Sequence, residues 1–155
     1  MLVSCNEEIL FSKYTSVKPA WDIENFVSYK FDISDTKTPY DLFLKFRTNH
    51  KYEFSNLFLY TSLLYPSGKV EIDTLEYLMS RPDGSMLGHG NMSVKTHKLW
   101  YRGYIGDFFF SEPGNYQLTI RHATRKLGEV DPVKFLLGVL DVGFSIESVK
   151  SNYIN

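Results

Sequence analysis

The feature of this sequence that most restricts its fold is an alternation of apolar and polar residues with a period of two. Between residues 26 and 33, the apolar side chains Val27, Tyr29, Phe31 and Ile33 alternate with polar ones. Successive residues of a β-strand point to opposite faces, so this run predicts a strand with one buried face. No long run in the sequence has the 3.6-residue period of an amphipathic helix.

Further runs of this kind follow along the chain, and turn-forming residues separate them. Leu42, Leu44 and Phe46 share one face of a second run. Residues 56–65 are almost continuously apolar, which predicts a central strand with both faces covered. Residues 70–80 predict its antiparallel partner, with a bulge near Thr74. The turns that separate the runs lie at residues 35–39, 66–69, 82–84 and 112–115.

The last third of the chain continues the pattern. Tyr116, Leu118, Ile120 and His122 share one face of a predicted strand. Residues 133–137 predict a single helical turn. The final strand, over residues 139–149, is expected to turn inward Leu140, Val142, Phe144 and Ile146. The whole sequence therefore predicts an all-β fold, a single antiparallel β-sandwich of jelly-roll type with about seven to nine strands over residues 21–155.

Composition excludes several classes of protein. A length of 155 residues corresponds to one domain, large enough to bury a core without disulfides. The net charge is −1, which argues against a nucleic-acid binder that depends on a basic surface. The one cysteine, Cys5, excludes an internal disulfide and any site built from several cysteines. Aromatic residues reach 16%, and we expect most of them to fill the space between two sheets.

The N-terminus carries the most specific short motif. Leu2-Val3-Ser4-Cys5 follows the pattern of a bacterial lipobox, in which a peptidase cuts before the cysteine and a lipid is attached to its thiol. A complete secretion signal also has a basic and an apolar segment, and neither precedes Leu2 in this sequence. The alternative is an ordinary thiol near the chain end. Residues 1–20 are predicted to be a lipobox remnant and a polar tether.

Motifs for catalysis, metals and cofactors are missing from the sequence. The histidines His50, His89, His97 and His122 have no metal-ligand spacing, and His122 is expected to be a core residue. No nucleophile elbow, phosphate-binding loop or dinucleotide fingerprint is present. The sequence therefore predicts no catalytic residue, no metal and no cofactor, and it indicates no particular small-molecule ligand.

Two groups of residues are candidates for a binding surface. Aromatic side chains around one predicted strand could stack on a sugar, and basic side chains after another could meet an acidic partner or a phosphate. The simpler interpretation is core packing for the first group and a solvated surface for the second. The six candidate residues are Trp100, Tyr101, Tyr104, Arg121, Arg125 and Lys126.

Short blocks in a fixed order also run through most of the chain, from Trp21 to Glu147. They lie at residues 38–44, 46–49, 54–59, 65–70, 73–77, 81–84, 87–90, 98–101, 114–116, 122–125 and 138–147. In this order and spacing the chain resembles the gliding-motility lipoprotein GldH family of gliding bacteria.

The resemblance implies a lipoprotein whose lipidated residue is Cys5. It also implies that the basic and apolar parts of a secretion signal have been removed before Leu2. The membrane would be reached through the lipid on Cys5, in the cell envelope and at the outer membrane, with the periplasmic or surface side left open. The partners would be envelope proteins of the gliding apparatus, which overlaps with type IX secretion. The family contributes no catalytic residues.

Three hypotheses for function follow. The first is a lipid-anchored, non-enzymatic accessory or structural component of the gliding machinery that acts through protein partners. The second is a carbohydrate-binding β-sandwich, which requires Trp100, Tyr101 and Tyr104 to be exposed in one row. The third is a hydrolase, which requires two facing carboxylates in a cleft.

Overall fold

Eleven β-strands account for most of residues 8–149, the part of the chain that the computed structural model describes. Residues 1–7, which include Cys5 and the predicted lipobox, and residues 150–155 lie outside the described residues. The strands are β1 (Ile9–Ser16), β2 (Ala20–Asp22), β3 (Val27–Ile33), β4 (Tyr40–Thr48), β5 (Asn56–Leu64), β6 (Val70–Leu78), β7 (His89–Gly90), β8 (Lys95–Gly103), β9 (Gly114–His122), β10 (Phe135–Leu137) and β11 (Val139–Ser148).

The strands build a sandwich of two antiparallel sheets. One sheet has the order β1-β11-β4-β8-β7, the other has the order β3-β9-β5-β6, and β10 pairs separately with β2. Eight strands have seven or more residues, in agreement with the predicted number, but β1 and the three short strands were not among the predicted ones. Of the connections between consecutive long strands, only β5 to β6 stays within one sheet. This is a jelly-roll arrangement, and the predicted fold class is confirmed.

The alternation in the sequence separates inner from outer faces as predicted. In β3, Val27, Tyr29, Phe31 and Ile33 are buried and the residues between them are exposed. In β9, Tyr116, Leu118, Ile120 and His122 are buried in the same way. In β5 only the inner face is buried, so the prediction that both of its faces are covered is wrong. A two-layer sandwich has no third layer to cover the outer face of β5.

Aromatic rings fill the centre of the sandwich, as the composition suggested. Phe31 stacks on Tyr116 with ring centroids 5.6 Å apart, and it also contacts Phe144 of the opposite sheet at 5.5 Å. Phe110 packs edge-on against Tyr116 at 5.1 Å. The hydroxyl of Tyr29 donates a hydrogen bond to the Val142 carbonyl across the sandwich. These contacts join β3 and β9 of one sheet to β11 of the other.

The structure corrects the prediction of a polar tether in its second half. Residues 9–16 form β1, which pairs with β11 from Ile9 opposite Glu147 to Ser16 opposite Asp141. An edge strand with a mostly polar sequence gives a weak alternation, because few of its side chains reach the core. Phe11 connects β1 to the core, with its ring centroid 5.7 Å from that of Phe144.

Three local predictions are also wrong. Residues 135–137 form strand β10 rather than a helical turn. The pairing of β5 with β6 runs without a shift past Thr74, so the predicted bulge is absent. A bulge lies instead between Val139 and Asp141, and it leaves Leu140 only partly buried. A bulge of this kind reverses the alternation locally, which a pattern of period two cannot anticipate.

Gly138, at the junction of β10 and β11, provides a test of this packing. Gly138 and Gly84 both have positive φ angles, +86° and +85°. A Cβ at Gly138 would overlap the backbone nitrogen of Tyr52, whereas a Cβ at Gly84 meets no atom within 4 Å. We expect Gly84→Ala to lower the free energy of unfolding by about 1 to 2 kcal/mol through backbone strain. Gly138→Ala should lose about 1 to 3 kcal/mol more, because the backbone must move.

Urea unfolding of both variants measures the difference, with Gly84→Ala as the matched control. Equal losses for the two variants would contradict the close approach of Gly138 to Tyr52.

Candidate functional site

The outer face of the four-stranded sheet holds two of the predicted binding residues together with three aromatic rings. Tyr60 of β5 lies directly opposite Arg121 of β9, and both point away from the core. The guanidinium of Arg121 lies 4.8 Å from the Tyr60 ring centre and 5.6 Å from that of Phe26. Arg125 lies 6.0 Å from the ring centre of Phe58. We call Phe26, Phe58, Tyr60, Arg121 and Arg125 the arginine face.

A shallow hollow of about 300 Å³ opens beside Arg121 on this face. Its wall is largely apolar, and Ile72 of the neighbouring edge strand is 72% exposed there. The residues that line it are Phe26, Tyr60, Thr61, Ser62, Ile72, Thr74, Thr119 and Arg121. Cation–π contacts hold the arginine over the rings and leave N–H groups of the guanidinium available at the rim. The hollow therefore combines an apolar wall with a positive charge.

The aromatic members of the arginine face are not among the binding residues predicted from the sequence. Phe58 and Tyr60 lie in the run of residues 56–65, which reads as apolar on both sides. Their position could have been predicted from the alternation of Phe58 and Tyr60 with Leu57, Leu59 and Thr61, which are buried. In a two-layer fold one of the two sets must face outward.

The other predicted binding residues are not part of this surface. Lys126 is exposed in the loop after β9 and lines a different hollow, of about 420 Å³, together with Lys51, Glu53 and Lys134. Trp100 is 41% exposed on the outer face of the five-stranded sheet. The six candidate residues therefore do not form a single site.

The predicted row of exposed aromatic residues is not formed. Tyr101 is 4% exposed and packs in the core, which removes it from any binding surface. Tyr104 is partly buried, with its ring edge-on to Phe109 at 5.8 Å. The indole N–H of Trp100 donates a hydrogen bond to Asp41. Trp100 and Tyr101 are neighbours in β8 and therefore point to opposite faces of the sheet, so the three rings do not form a row on one face.

One pair of carboxylates does lie close together, but an arginine is bound between them. Arg102 of β8 forms ion pairs with both Glu71 and Asp73 of β6. The hydrogen bond from Arg102 lowers the pKa of Glu71 to about 2. A general acid needs a raised pKa, whereas the pKa of Glu71 is lowered, so Glu71 is unsuited to that role. The cluster instead ties the edges of the two sheets together.

The outer face of the five-stranded sheet is closed by its own contacts. The Lys98 ammonium donates to Glu147 at 2.7 Å, and the Ser145 hydroxyl donates to the second oxygen of Glu147 at 2.7 Å. Burial raises the pKa of Glu147, but these hydrogen bonds outweigh it and hold the pKa below its usual value. Arg47 lies 4.0 Å over the ring of Tyr14. These charges are therefore partnered within the sheet.

Two histidines, His97 and His122, are buried, and burial favours their neutral form. His122 Nε2 donates to the Trp21 carbonyl oxygen at 3.0 Å, which agrees with the predicted core role of His122. His97 Nε2 lies 2.9 Å from the Thr48 hydroxyl. Burial lowers the pKa of both, and that of His97 falls to about 4 with a further contribution from Lys95. Within residues 8–149, no group of three or more His, Cys, Asp or Glu could hold a metal ion.

The fold and its surfaces define the class of the protein. It is an antiparallel jelly-roll domain with an exposed arginine beside an apolar hollow on the outer face of one sheet. No helix in the described part of the chain is long and apolar enough to cross a membrane. A family model described as GldH lipoprotein matches residues 9–146. The chain therefore belongs to the GldH lipoprotein family, and the resemblance seen in its sequence blocks is confirmed.

Two relatives match over almost the whole chain. The "Gliding motility lipoprotein GldH homolog" of Christiangramia forsetii is 42% identical over 144 residues, which are 93% of this chain and 86% of that protein. The "Gliding motility lipoprotein GldH" of Flavobacterium johnsoniae is 39% identical over 147 residues, which are 95% of this chain and 89% of that protein.

Solved structures show only a distant likeness. A chain in the structure of the infectious bursal disease virus Gx strain is 9% identical, with a TM-score of 0.42. The match covers 92% of the present chain and 31% of the viral one. At this TM-score the likeness adds nothing to the assignment.

The lowered pKa of His97 makes the free energy of unfolding depend on pH. Because the folded pKa of His97 is about 4, the unfolded chain takes up a proton near pH 6.5 that the native protein does not accept. This contribution to stability is complete above pH 6.5 and is lost as the pH falls toward 4. Between pH 6.5 and 4.5, wild type should lose roughly 2 kcal/mol more than His97→Gln does.

Urea unfolding at several pH values measures this loss. Thr48→Val serves as the control, because it removes the hydrogen bond to His97 but keeps the titrating ring. It should be less stable than wild type at pH 7 yet show the same dependence on pH. An unchanged dependence in His97→Gln would show that His97 is not the group responsible.

Proposed function

We propose that this protein is a lipid-anchored, non-enzymatic component of the bacterial gliding-motility machinery that acts by binding protein partners in the cell envelope. The family match and the names of both relatives support a gliding-motility lipoprotein. The observation that carries the binding role is Arg121, held between two aromatic rings beside an apolar hollow on an open sheet face. We further propose an outer-membrane location and a link to type IX secretion, on the strength of the resemblance.

The position of β1 supports an anchor at Cys5 that holds the domain near the membrane. Strand β1 begins at Ile9, so only three residues lie between Cys5 and the folded sheet, and the Cα atoms of Cys5 and Ile9 are four residue steps apart. A chain of that length spans at most about 14 Å. Ile9 lies opposite Glu147, Glu147 opposite Asp41, and Asp41 opposite Gly103, so the turn after β8 lies at the same end of the sandwich.

That end of the sandwich also has exposed apolar side chains. Ile105 and Phe109 in the loop after β8 are both exposed, and so is Ile9 itself. Aliphatic and aromatic side chains are favoured at the boundary between lipid and water. A lipid on Cys5 would bring these residues toward the membrane surface. It would leave the arginine face, on the side of the sandwich, open to a partner.

The arginine face fits a protein segment with an acidic group next to an apolar side chain. The guanidinium of Arg121 can pair with a carboxylate at the rim, while Ile72 and Tyr60 offer apolar surface inside the hollow. Aromatic residues and arginine are enriched at the centres of protein interfaces. We propose this surface as the docking site for the envelope partner.

Lipidation at Cys5 is tested by expressing the full-length gene in a gliding bacterium with an alkyne-labelled palmitate. We expect wild type to take up the label and to sediment with membranes, whereas Cys5→Ser should lose both properties because the thiol is the attachment atom. Ser4→Ala keeps a small residue before the cut and should behave as wild type. Label on Cys5→Ser, or unlabelled wild type, would contradict the anchor.

The docking site is tested by placing a photo-crosslinking amino acid at Ser62, inside the hollow, in the same cells. Arg121→Glu should reduce the crosslinked yield at least about tenfold, since removing one partner of a desolvated charge pair costs about 2 to 5 kcal/mol. Lys30→Glu makes the same charge reversal elsewhere on the same sheet face and should leave the yield unchanged.

The crosslinked peptide is then identified by mass spectrometry. We expect an acidic residue within a few positions of the crosslink. Equal yields from the two charge reversals, or a crosslinked segment without an acidic residue, would rule out this docking site. Membrane sedimentation of Arg121→Glu confirms that the anchor is unaffected.

A further inference from the structure

Strand β6 is an edge strand whose outer side has no partner within the described residues. It pairs with β5 along its whole length and stands last in the order β3-β9-β5-β6. An exposed edge with regular geometry is a template for pairing with another chain. Natural edge strands are protected by bulges, prolines or charged side chains, lysine above all; the charged residues of β6 are all acidic. β6 has no bulge, proline or lysine over Val70–Leu78.

The hydrogen-bond pattern identifies the free backbone groups of β6. Tyr65 donates to the Lys69 carbonyl oxygen at one end of the hairpin, and Met79 donates to the Ser55 carbonyl oxygen at the other. In an antiparallel pair, residues that bond to the partner strand alternate with residues that do not. At both ends, therefore, the backbone groups of the odd-numbered residues of β6 form the hydrogen bonds to β5. The free N–H and C=O groups belong to the even-numbered residues Ile72, Thr74, Glu76 and Leu78.

The same residues place apolar side chains on the outer face of the edge. Ile72 is 72% exposed and Leu78 is 63% exposed. By contrast, β3 at the opposite edge of this sheet turns Ser28, Lys30 and Asp32 outward. The two edges of one sheet thus differ, and only β6 combines free backbone groups with exposed aliphatic side chains along its outer face.

The acidic side chains of β6 have hydrogen-bond partners within their own chain. Arg102 forms ion pairs with both Glu71 and Asp73. The Asn56 amide donates to the carboxylate of Glu76 at 2.9 Å. Arg102 therefore compensates the charges of Glu71 and Asp73, whereas the neutral amide of Asn56 leaves the charge of Glu76 in place. Whether carboxylates oppose a strand added at this edge depends on which residues the register sets opposite each other.

We propose that a second copy of this chain pairs with β6, antiparallel and around a two-fold axis at Leu75. In this register Ile72 lies opposite Leu78 of the other copy, and Thr74 lies opposite Glu76. All four residues with free backbone groups then form hydrogen-bonded pairs with the same four residues of the other copy. The two most exposed apolar side chains of the strand cover each other, and the two four-stranded sheets become one continuous sheet.

The neighbouring registers are less favourable. An axis at Asp73 places the two Asp73 carboxylates face to face, and an axis at Glu76 does the same with Glu76. An axis at Thr74 sets Ile72 against the Glu76 carboxylate. Like charges directly opposite each other destabilise a strand pair, whereas apolar pairs stabilise it. The sequence of β6 therefore selects the register at Leu75 when it pairs with itself.

The proposal does not depend on the lipid or on the arginine face, and it is tested with purified chain. In a Cys5→Ser background, Ile72→Cys and Leu78→Cys are prepared separately and oxidised alone or mixed. The mixture should form at least about tenfold more disulfide-linked dimer than either variant alone, because pairing raises the local thiol concentration. In the proposed register, identical positions of the two copies lie about 20 Å apart.

Met92→Cys mixed with Ile72→Cys is the control for random collision, because Met92 is fully accessible in the loop after β7. Analytical ultracentrifugation of the unmodified chain should show mass increasing with concentration, and Ile72→Lys should abolish the increase. Crosslinking of Ile72→Cys with itself would assign a different register and overturn the proposal. So would a monomer at all concentrations with mixed crosslinking no higher than the Met92 control.

Discussion

The burial of one face of each sheet against the other is the constraint on which this structure depends. Phe31 and Tyr116 stack within one sheet, and Phe31 meets Phe144 of the other, so that three strands from distant parts of the chain converge. Because there are two layers, every long strand has one inner and one outer face. The period-two pattern, the position of the charges and the location of the candidate binding surface all follow from that division.

The outer faces of the two sheets differ in how far their side chains are already partnered within the chain. On the five-stranded sheet, Glu147 is partnered by Lys98 and Ser145, and Arg47 covers Tyr14, so the face is closed by contacts within the chain. On the four-stranded sheet, Arg121 and Arg125 rest on aromatic rings and leave a hollow with an apolar wall. A face with unused apolar surface and available N–H donors can stabilise a complex, whereas a self-satisfied face gains little from a new contact.

The proposed interactions use different parts of the domain, two of which meet at Ile72. The anchor would reach the end of the sandwich where β1 begins, the partner would contact the outer face beside Arg121, and a second copy would pair along the edge at β6. Ile72 belongs to both the hollow and the edge, so self-association would place a second copy beside the docking site. A jelly-roll can combine these roles because its ends, faces and edges present different surfaces of one core.

Much of the fold could be predicted from the sequence by itself. The alternation in β3 and β9 determined which side chains are buried, since a strand on a core has no other way to bury one face. The order and spacing of short blocks determined the family. Strand β1 could not be predicted, because its partner β11 lies more than a hundred residues away and its own polar sequence gives little alternation.

Tertiary structure alone decided which candidate residues share a surface. Arg121 meets Phe26 and Tyr60 because β9 pairs with both β3 and β5, a pairing that local pattern does not specify. A bulge between β4 and β8 places Arg102 on the inner side next to Tyr101, where it reaches Glu71 and Asp73, although alternation alone would turn it outward. Local patterns record which face a residue occupies, while strand order and bulges determine its neighbours. The sequence therefore determined the layers and the family, and the structure determined the surface.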